Sequence, residues 1–285
     1  SAENWQASAK PWFAQNAANN NEVFFAGHFD GNGHIISGLY FGDSLNAQQS
    51  SLAYWSLSVG LFPNMATGAS VKNLGIINSQ ITAVDICDGK GDAYAGLIAG
   101  FVYCPENYGN QAAVEISNCF ADESDAVTAK NNAGGLVGYV QNYSLTAKNS
   151  YSSASFPQKD GKGNASTGGI IGAVWNATFT AESCYSVHAR LTKEVYNAST
   201  ITYTNCYTTH SPAEGTDASL DVKQFNLDEM TGRASVGKMK LSTDIWAATA
   251  NSRPYLKGIF AGYIPPEEFL SGNDGVKGEP WSGNI

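Results

Sequence analysis

Three short acidic turns carry oxygen ligands of the kind that bind calcium. They share the form Asp-Gly-x-Gly and begin at Asp30, Asp88 and Asp160. Around the second turn, Asp85, Asp88 and Asp92 place three carboxylates close together along the chain, and calcium prefers such ligands. The same dipeptides also form tight turns without an ion, since Gly and Asn tolerate backbone conformations that other residues avoid. We expect turns at all three places, keep calcium as the alternative at the second, and predict no other cofactor.

Aromatic side chains are the second kind of candidate, because exposed rings stack on sugar rings. Several lie in or beside segments that interrupt the regular pattern of the chain, where binding residues are often found. The candidates for ligand binding are Tyr54, Trp55, Tyr103, Tyr108 and Trp175. The alternative is that these rings pack over the flank of the fold and bind nothing.

The sequence shows no set of residues with the spacing that catalysis would require. Enzymes that cleave polysaccharides use paired carboxylates, which on stacked strands would occupy matching positions. Glu115 and Glu182 precede two equivalent elements, but Lys148 stands between them. His34 has only Asp30 nearby, and a Gly-x-Ser-x-Gly nucleophile motif is absent. We predict no catalytic residues and a solvated loop for the remaining acidic cluster: Asp122, Glu123 and Asp125.

Composition excludes two classes of partner. The chain has 285 residues, 14% of them charged, and its formal net charge of −9 would repel phosphate backbones. We therefore predict no nucleic-acid partner, and the lack of any run of about 18 apolar residues predicts no membrane insertion. Four Asn-x-Ser/Thr sequons are close to what chance gives in so Asn-, Ser- and Thr-rich a chain: Asn142, Asn164, Asn176 and Asn197.

The five cysteines form no Cys-x-x-Cys pair, so a structural zinc site is not expected. Cys119, Cys184 and Cys206 follow the same local pattern, which predicts a ladder of small buried thiols. Cys87 and Cys104 flank a different segment, and they are the candidate pair for a disulfide.

A repeat runs along the chain and indicates how these residues are positioned. Segments of Gly followed by apolar residues recur at Gly60, Gly96, Gly135 and Gly169, at intervals of 36, 39 and 34 residues. Short apolar strands separated by Gly, Asn and Ser turns at such a period predict a solenoid. Helical periodicity is nearly absent between residues 23 and 210, so the predicted class is all-β.

A second element follows each glycine segment. It consists of Asn or Ser followed by apolar or aromatic residues, and its polar positions are Asn73, Asn118, Asn149, Ser183 and Asn205. Parallel strands of successive coils stack about 4.8 Å apart, so equivalent residues lie above one another. We expect the asparagines to adopt positive φ at the corners and to bond their neighbours along the stack.

The opening motif resembles that of the GLUG-repeat family. Residues 25–39 read Phe-Ala-Gly-His-Phe-Asp-Gly-Asn-Gly-His-Ile-Ile-Ser-Gly-Leu, and the later Gly-Gly-Leu-Val-Gly units are similar to the repeat itself. The resemblance covers roughly residues 24–210. It implies a right-handed parallel β-helix in a secreted or surface-attached bacterial protein, used mostly for adhesion or as a structural module.

The organisation follows from this pattern. Residues 1–22 are expected to cap the N-terminal end, in part as a short helix, residues 23–225 to form the β-helix, and residues 259–285 to form an extended tail or linker. In residues 226–258, Asn226 and Glu229 predict a helix N-cap. We expect this helical cap to cover the open C-terminal end of the solenoid with four apolar side chains: Met230, Met239, Trp246 and Leu256.

These features favour a non-enzymatic module. It would bind a glycan, or a host or cell-surface protein, or act as a stiff spacer presenting other domains of a larger chain. The alternative is a polysaccharide lyase or glycoside hydrolase on the same scaffold, for which two carboxylates would share one exposed groove.

Overall fold

The computed structural model describes residues 14–16, 24–41, 56–66, 68–84, 91–103, 112–158, 161, 163–210 and 222–259. Strands account for most of the regular structure in these ranges, as predicted, and two four-residue helices account for the rest.

The strands are, in chain order, β1 (Ala14–Asn16), β2 (His28–Ser37), β3 (Tyr40–Phe41), β4 (Ser56–Val59), β5 (Phe62–Met65), β6 (Ser70–Ile77), β7 (Gln80–Ala83), β8 (Asp92–Gly96), β9 (Ala99–Tyr103), β10 (Val114–Ala121), β11 (Ala126–Ala129), β12 (Asn132–Gly134), β13 (Val137–Gln141), β14 (Ser144–Lys148), β15 (Tyr151–Ser152), β16 (Ser166–Gly168), β17 (Ile171–Trp175), β18 (Thr178–Glu182), β19 (Tyr185–Ser186), β20 (Thr192–Tyr196), β21 (Thr200–Thr204), β22 (Cys206–Thr208), β23 (Val222–Gln224), β24 (Trp246–Ala247) and β25 (Tyr255–Leu256). The helices are α1 (Leu227–Met230) and α2 (Ser235–Lys238).

Four sheets run side by side, and their strands are parallel except for β1, which is antiparallel to β4. Sheet A has the order β1-β4-β8-β12-β16, sheet B β5-β9-β13-β17-β20, and sheet D β3-β7-β11. Sheet C joins β2, β6, β10, β14, β18 and β21, and it bends into a second part with β15, β19, β22 and β23. From β2 to β13 the chain visits sheets C, D, A and B in turn three times, and each passage adds one level to a solenoid-like stack. The next passage omits sheet D, and the one after it omits sheets D and A.

The interior is a set of ladders of small and branched side chains. The strand register places Cys119, Ser150, Cys184 and Cys206 one above another, with Leu74 below them. The three thiols are completely buried and donate to backbone carbonyls at 3.3–3.6 Å, so the predicted ladder of buried thiols is confirmed. Burial raises the pKa of Cys119 to about 12, so this thiol stays protonated and unreactive.

The glycine segments are tight arches between sheets A and B. The register pairs Gly96 with Gly134 and Gly134 with Gly168, so the repeat intervals are 36, 38 and 34 residues. The earlier alignment on Gly135 and Gly169 was therefore wrong by one residue in those two coils. It failed because two adjacent glycines are indistinguishable in sequence, whereas only the first pairs with its neighbour in sheet A.

Close backbone approach explains why these arches require glycine. A Cβ on Gly138 would lie 2.5 Å from the Gly100 carbonyl oxygen and 2.6 Å from the Ala95 nitrogen. Both are main-chain atoms inside paired strands, so neither has room to move. The last glycine of each arch is thus where the main chains of sheets A and B nearly touch.

Asparagines form the bend within sheet C, as predicted. All five polar positions of the second element have φ between 46° and 56°. Asn118 Nδ2 donates to Asn73 Oδ1 at 3.0 Å, and Asn73 Nδ2 donates to Asp30 Oδ1 at 3.0 Å. These bonds join three successive levels, because each amide is both donor and acceptor. With the Asn32 backbone and Lys72, they hold the pKa of Asp30 below its usual value.

The opening motif forms a bulge in the first level. Asp30 pairs with Lys72 and His34 with Leu74, so residues 31–33 stand opposite the single residue Asn73. The Asn32 N–H donates to Asp30 Oδ1 at 2.9 Å, which closes an Asx turn. This first acidic turn is therefore a turn, as expected.

The C-terminal segment lies along the flank of the stack. Residues 226–259 begin with the predicted N-cap, in which Asn226 and Glu229 bond each other's backbone N–H. Met230, Met239, Trp246 and Leu256 are buried, but they pack on an outward aromatic column of sheet C: Phe120, Tyr151, Tyr185 and Tyr207. We call residues 226–259 the strap.

The strap spans the stack from the last level to the first. Asn205 Nδ2 donates to the Lys240 carbonyl at 3.0 Å, the Tyr185 hydroxyl to the Pro254 carbonyl at 2.6 Å, and the Gly258 backbone lies against Gly33. The expectation that this segment covers the open end was wrong, because its apolar side chains pack on the aromatic column at the side of sheet C.

A short strand from the N-terminal segment lies beside the first level of sheet A. Ala14–Asn16 is a strand antiparallel to β4, not a helix, and it covers the edge of sheet A. The rest of residues 1–22 and the tail after Ile259 lie outside the described residues.

The arch geometry generates a first prediction. Gly138→Ala should lower the free energy of unfolding by about 1–3 kcal/mol, because its Cβ would overlap main-chain atoms. The control is Gly237→Ala in α2, where an added Cβ meets nothing within 4 Å. It should be neutral or stabilising by up to about 1 kcal/mol. Urea unfolding of both variants measures the difference, and equal effects would contradict the close-approach explanation.

Candidate functional site

A column of outward side chains ends the strands of sheet B. The register places Tyr103, Gln141, Trp175 and Tyr196 at the last position of β9, β13, β17 and β20, in four successive levels. The preceding residues in β9, β13 and β17 are core valines, and Val195 of β20 is in register with them. Alternation along each strand therefore turns the four side chains outward. Two candidate residues far apart in sequence, Tyr103 and Trp175, thus lie in one column two levels apart.

Trp175 and Tyr196 are the exposed members of this column. Their side chains are 37% and 40% exposed, and their ring centroids lie 5.5 Å apart at an interplanar angle of 44°. Tyr103 is half-buried and stacks on Phe101 at 5.3 Å and 7°. The exposed rings form one tilted platform at the upper end of the column, and Tyr103 extends it below Gln141.

An amide column adjoins the aromatic one. The residue that follows Gln141, Trp175 or Tyr196 in the chain is in each case an exposed asparagine with positive φ. These are Asn142, Asn176 and Asn197, with φ of 52°, 45° and 54°. Asn176 Nδ2 donates to Asn142 Oδ1 at 3.1 Å. These asparagines form the corner between sheets B and C, so three of the four sequons reflect the repeat. Attributing them to chance was wrong, because all three corners use Asn at positive φ and a Ser or Thr stands at or just before the start of the next strand.

Hydroxyl columns continue the surface on sheet C. Ser144, Thr178 and Thr200 are in register, and so are Thr146, Thr180 and Thr202. The threonines of β18 and β21 are exposed or half-buried. We call the combined surface of the aromatic, amide and hydroxyl columns the strip. Its rings offer stacking faces, while its amides and hydroxyls offer both donors and acceptors.

Sequence reasoning missed Tyr196. The fifth level has no glycine arch, so the residues before Asn197 carried no repeat signal. The signal that would have found it is the shared pattern Trp175-Asn176-Ala-Thr and Tyr196-Asn197-Ala-Ser. An aromatic residue before a sequon marks the same corner in both levels.

Several other candidates lie outside the described residues. They are Tyr54, Trp55 and Tyr108 of the binding set, Asp85 and Asp88 of the calcium set, and the Cys87 and Cys104 pair. Asp92 is described and exposed, and it accepts a hydrogen bond from the Tyr94 hydroxyl at 3.4 Å. Within the described ranges, no group of three or more His, Cys, Asp or Glu side chains could hold a metal ion.

The acidic cluster at residues 122–125 is a buried corner, so the prediction of a solvated loop was wrong. Asp125 Oδ1 accepts from the Ser79 N–H at 2.8 Å, and Oδ2 accepts from the Asp122 N–H at 2.9 Å. Asp122 accepts in turn from Ser124. These carboxylates satisfy backbone donors at turns of two neighbouring levels, where the sequence pattern of consecutive acids suggested only exposure.

Burial changes the ionisation of this corner. Desolvation, with the nearby charge of Asp122, raises the pKa of Asp125 to about 8, although two backbone N–H groups act against the shift. A raised pKa beside a second carboxylate is a pattern seen in acid–base catalysis. Here Asp125 is completely buried and Asp122 is 5% exposed, so the pair is not open to a substrate.

Glu123 points the other way and pairs with Arg253 of the strap. His188 lies close to this pair. Burial, followed by the charge of Arg253, lowers the pKa of His188, while Glu123 acts in the opposite direction. The ion pair thus attaches the strap to the third level beside His188.

The chain matches no family model and no curated protein. Among solved structures, it is similar to a protein from Bacteroides ovatus described as a "putative immunoglobulin A1 protease", with 15% identity and a TM-score of 0.45. The match covers 85% of this chain and 83% of that one. The GLUG-repeat resemblance stays a prediction from the motifs. No helix in the described part of the chain is long and apolar enough to cross a membrane.

The buried corner predicts a pH-dependent stability. Between the unfolded pKa of Asp125, near 3.8, and its folded pKa of about 8, the folded chain holds a proton that the unfolded chain has lost. The contribution of Asp125 to the free energy of unfolding should therefore fall as pH rises through this window. Asp125→Asn should remove that slope, while Asp244→Asn, at an exposed carboxyl, should keep it.

Denaturant unfolding at pH 5 and pH 8 measures this effect. The stability advantage of the native chain over Asp125→Asn should be larger at pH 5. An advantage that grows at pH 8 would mean that Asp125 is ionised in the folded protein and that its backbone donors outweigh desolvation.

Proposed function

We propose that the protein is a non-enzymatic glycan-binding module of a secreted or cell-surface bacterial protein, built as a right-handed parallel β-helix. The single observation that supports binding is the exposed pair Trp175 and Tyr196 beside a column of exposed amides. Large exposed aromatics are costly to leave in water, and they are common where a ligand with an apolar face binds.

The chemistry of the strip fits a carbohydrate. A pyranose ring has an apolar face of C–H groups, which packs on an aromatic ring, and an edge of hydroxyls. The rings of Trp175 and Tyr196 would contact the face, and Asn142, Asn176 and Asn197 would exchange hydrogen bonds with the edge. Amides suit this role because each presents a donor and an acceptor at neighbouring positions.

The scaffold proposal rests on connectivity and motif. Each passage of the chain adds a parallel strand to the same sheets, and connections between parallel strands of one sheet are almost always right-handed. The opening motif and the glycine arches resemble the GLUG-repeat family, which implies secretion or surface attachment. We propose that location on the resemblance alone.

A polysaccharide-acting enzyme is the weaker proposal for this chain. Asp122 and Asp125, which share a corner and a raised pKa, are bonded to backbone donors and buried. Among the described residues of the strip's columns, Glu115 is the single carboxylate, and its register neighbours, Ser70 and Thr146, are not acids. Binding is therefore the function that its residues support.

Removing either exposed ring should weaken glycan binding. Trp175→Ala and Tyr196→Ala should each raise the Kd by about tenfold, equivalent to ~1.4 kcal/mol, with no change in unfolding midpoint. The control is Tyr40→Ala, which removes a 64% exposed ring from sheet D. Calorimetric titration with polysaccharides selected on a glycan array measures all three.

Two results would contradict the proposal. Binding that is lost equally in the Tyr40→Ala variant would show that the strip is not the site. Release of reducing ends or unsaturated sugars by the pure chain would make the protein an enzyme.

A further inference from the structure

We infer that the strip takes a neutral, extended polysaccharide that runs along the stacking axis, with one sugar per level. This inference rests on the proposed glycan binding and adds the ligand's charge, shape and direction. It follows from the spacing of the columns and from the side chains they contain.

Spacing determines the direction. Equivalent residues of neighbouring levels are about 4.8 Å apart, the separation of parallel strands. A pyranose in an extended chain with equatorial linkages advances by close to this distance. A chain laid along the column would therefore bring successive rings over Trp175 and Tyr196, in the register that joins β17 to β20. A chain laid perpendicular to the stacking axis, along the strands of one level, would meet one ring and then leave the aromatic column.

The amide column supports the same direction. Asn142, Asn176 and Asn197 stand one per level beside Gln141, Trp175 and Tyr196. Each sugar over these three levels would then have one amide at its edge. The repeat of the protein and the repeat of the ligand would have the same period, so the amides would meet successive sugars in the same way.

The charge of the strip determines the class of glycan. The residues of its aromatic, amide and hydroxyl columns are uncharged except for Glu115, which is in register with Thr146 at the lower end of a hydroxyl column. The nearest column on sheet C contains Lys148 and Glu182 side by side, which are opposite in sign and pair in the strand register. A polyanionic glycan would find no cationic partner in the strip, and the net charge of −9 would oppose its approach.

The column also sets a length. Tyr103, Gln141, Trp175 and Tyr196 occupy four levels, so binding should strengthen with chain length up to about four sugars, one per level. Gln141 is the one non-aromatic position among the four. It interrupts the column between Tyr103 and Trp175, so aromatic contact there is missing.

The test uses the whole protein and defined oligosaccharides. Cello-, xylo- and manno-oligosaccharides supply neutral, β-1,4-linked chains, and oligogalacturonides supply an acidic series. We expect Kd for at least one neutral series to fall at least tenfold from disaccharide to tetrasaccharide and then level off. The acidic series should bind at least tenfold more weakly at equal length.

A gain-of-function variant tests the direction. Gln141→Trp places a ring in the gap of the column and should tighten binding of the tetrasaccharide about threefold to tenfold, with little effect on the disaccharide. Gln158→Trp, which adds the same ring at an exposed position outside the strip, is the control. Equal gains from both variants would overturn the axial arrangement.

The remaining outcomes separate this inference from the proposed function. If Trp175→Ala abolishes binding of an acidic glycan, or of a neutral one whose affinity is independent of length, the module binds glycan but the inference is wrong. If no carbohydrate binds in a manner that depends on Trp175, the proposed function fails and the inference fails with it.

Discussion

The pairing of each level's main chain with the level beneath it is the constraint on which the rest of the structure depends. Once strands of successive levels are parallel and in register, equivalent residues must stand above one another at the strand spacing. Every property of one position is then repeated along the stack. The thiol ladder, the amide ladders and the aromatic columns are consequences of this single arrangement of backbone hydrogen bonds.

Corners are where this constraint selects residue type most strictly. Asn149 and Ser183 both adopt positive φ at the same bend, and Gly138 lies where two main chains nearly touch. A corner residue must adopt a backbone conformation that matches the corners of the levels above and below it. A corner of different shape would displace its level and break the strand pairing in every sheet. This explains why polar corners recur so regularly while the lengths between them vary.

The same logic explains how much the sequence predicted. Short strands and the second element recur along the stack, and three of the second elements carry a Cys at the same slot, so pattern alone found the β class and the buried thiols. The alignment on Gly135 was wrong because only strand pairing in the folded chain decides which of two adjacent glycines is equivalent to Gly96. The predicted position of the strap was wrong too, because the strap packs on an outward aromatic column whose residues come from different levels and are far apart in sequence. Tyr196 was missed for a related reason: its level lacks the arch that marks the others.

Two aromatic columns show that exposure, and not aromatic stacking itself, distinguishes a candidate site. Tyr151 and Tyr185 stack at 4.8 Å and 6°, yet Trp246 of the strap covers both, and they serve the fold. Trp175 and Tyr196 arise from the same repetition on another sheet, and they remain exposed. A solenoid makes ladders on every face that it builds. The strap covers one of these faces, and the face with Trp175 and Tyr196, which is exposed among the described residues, is where a ligand with the period of the stack would fit.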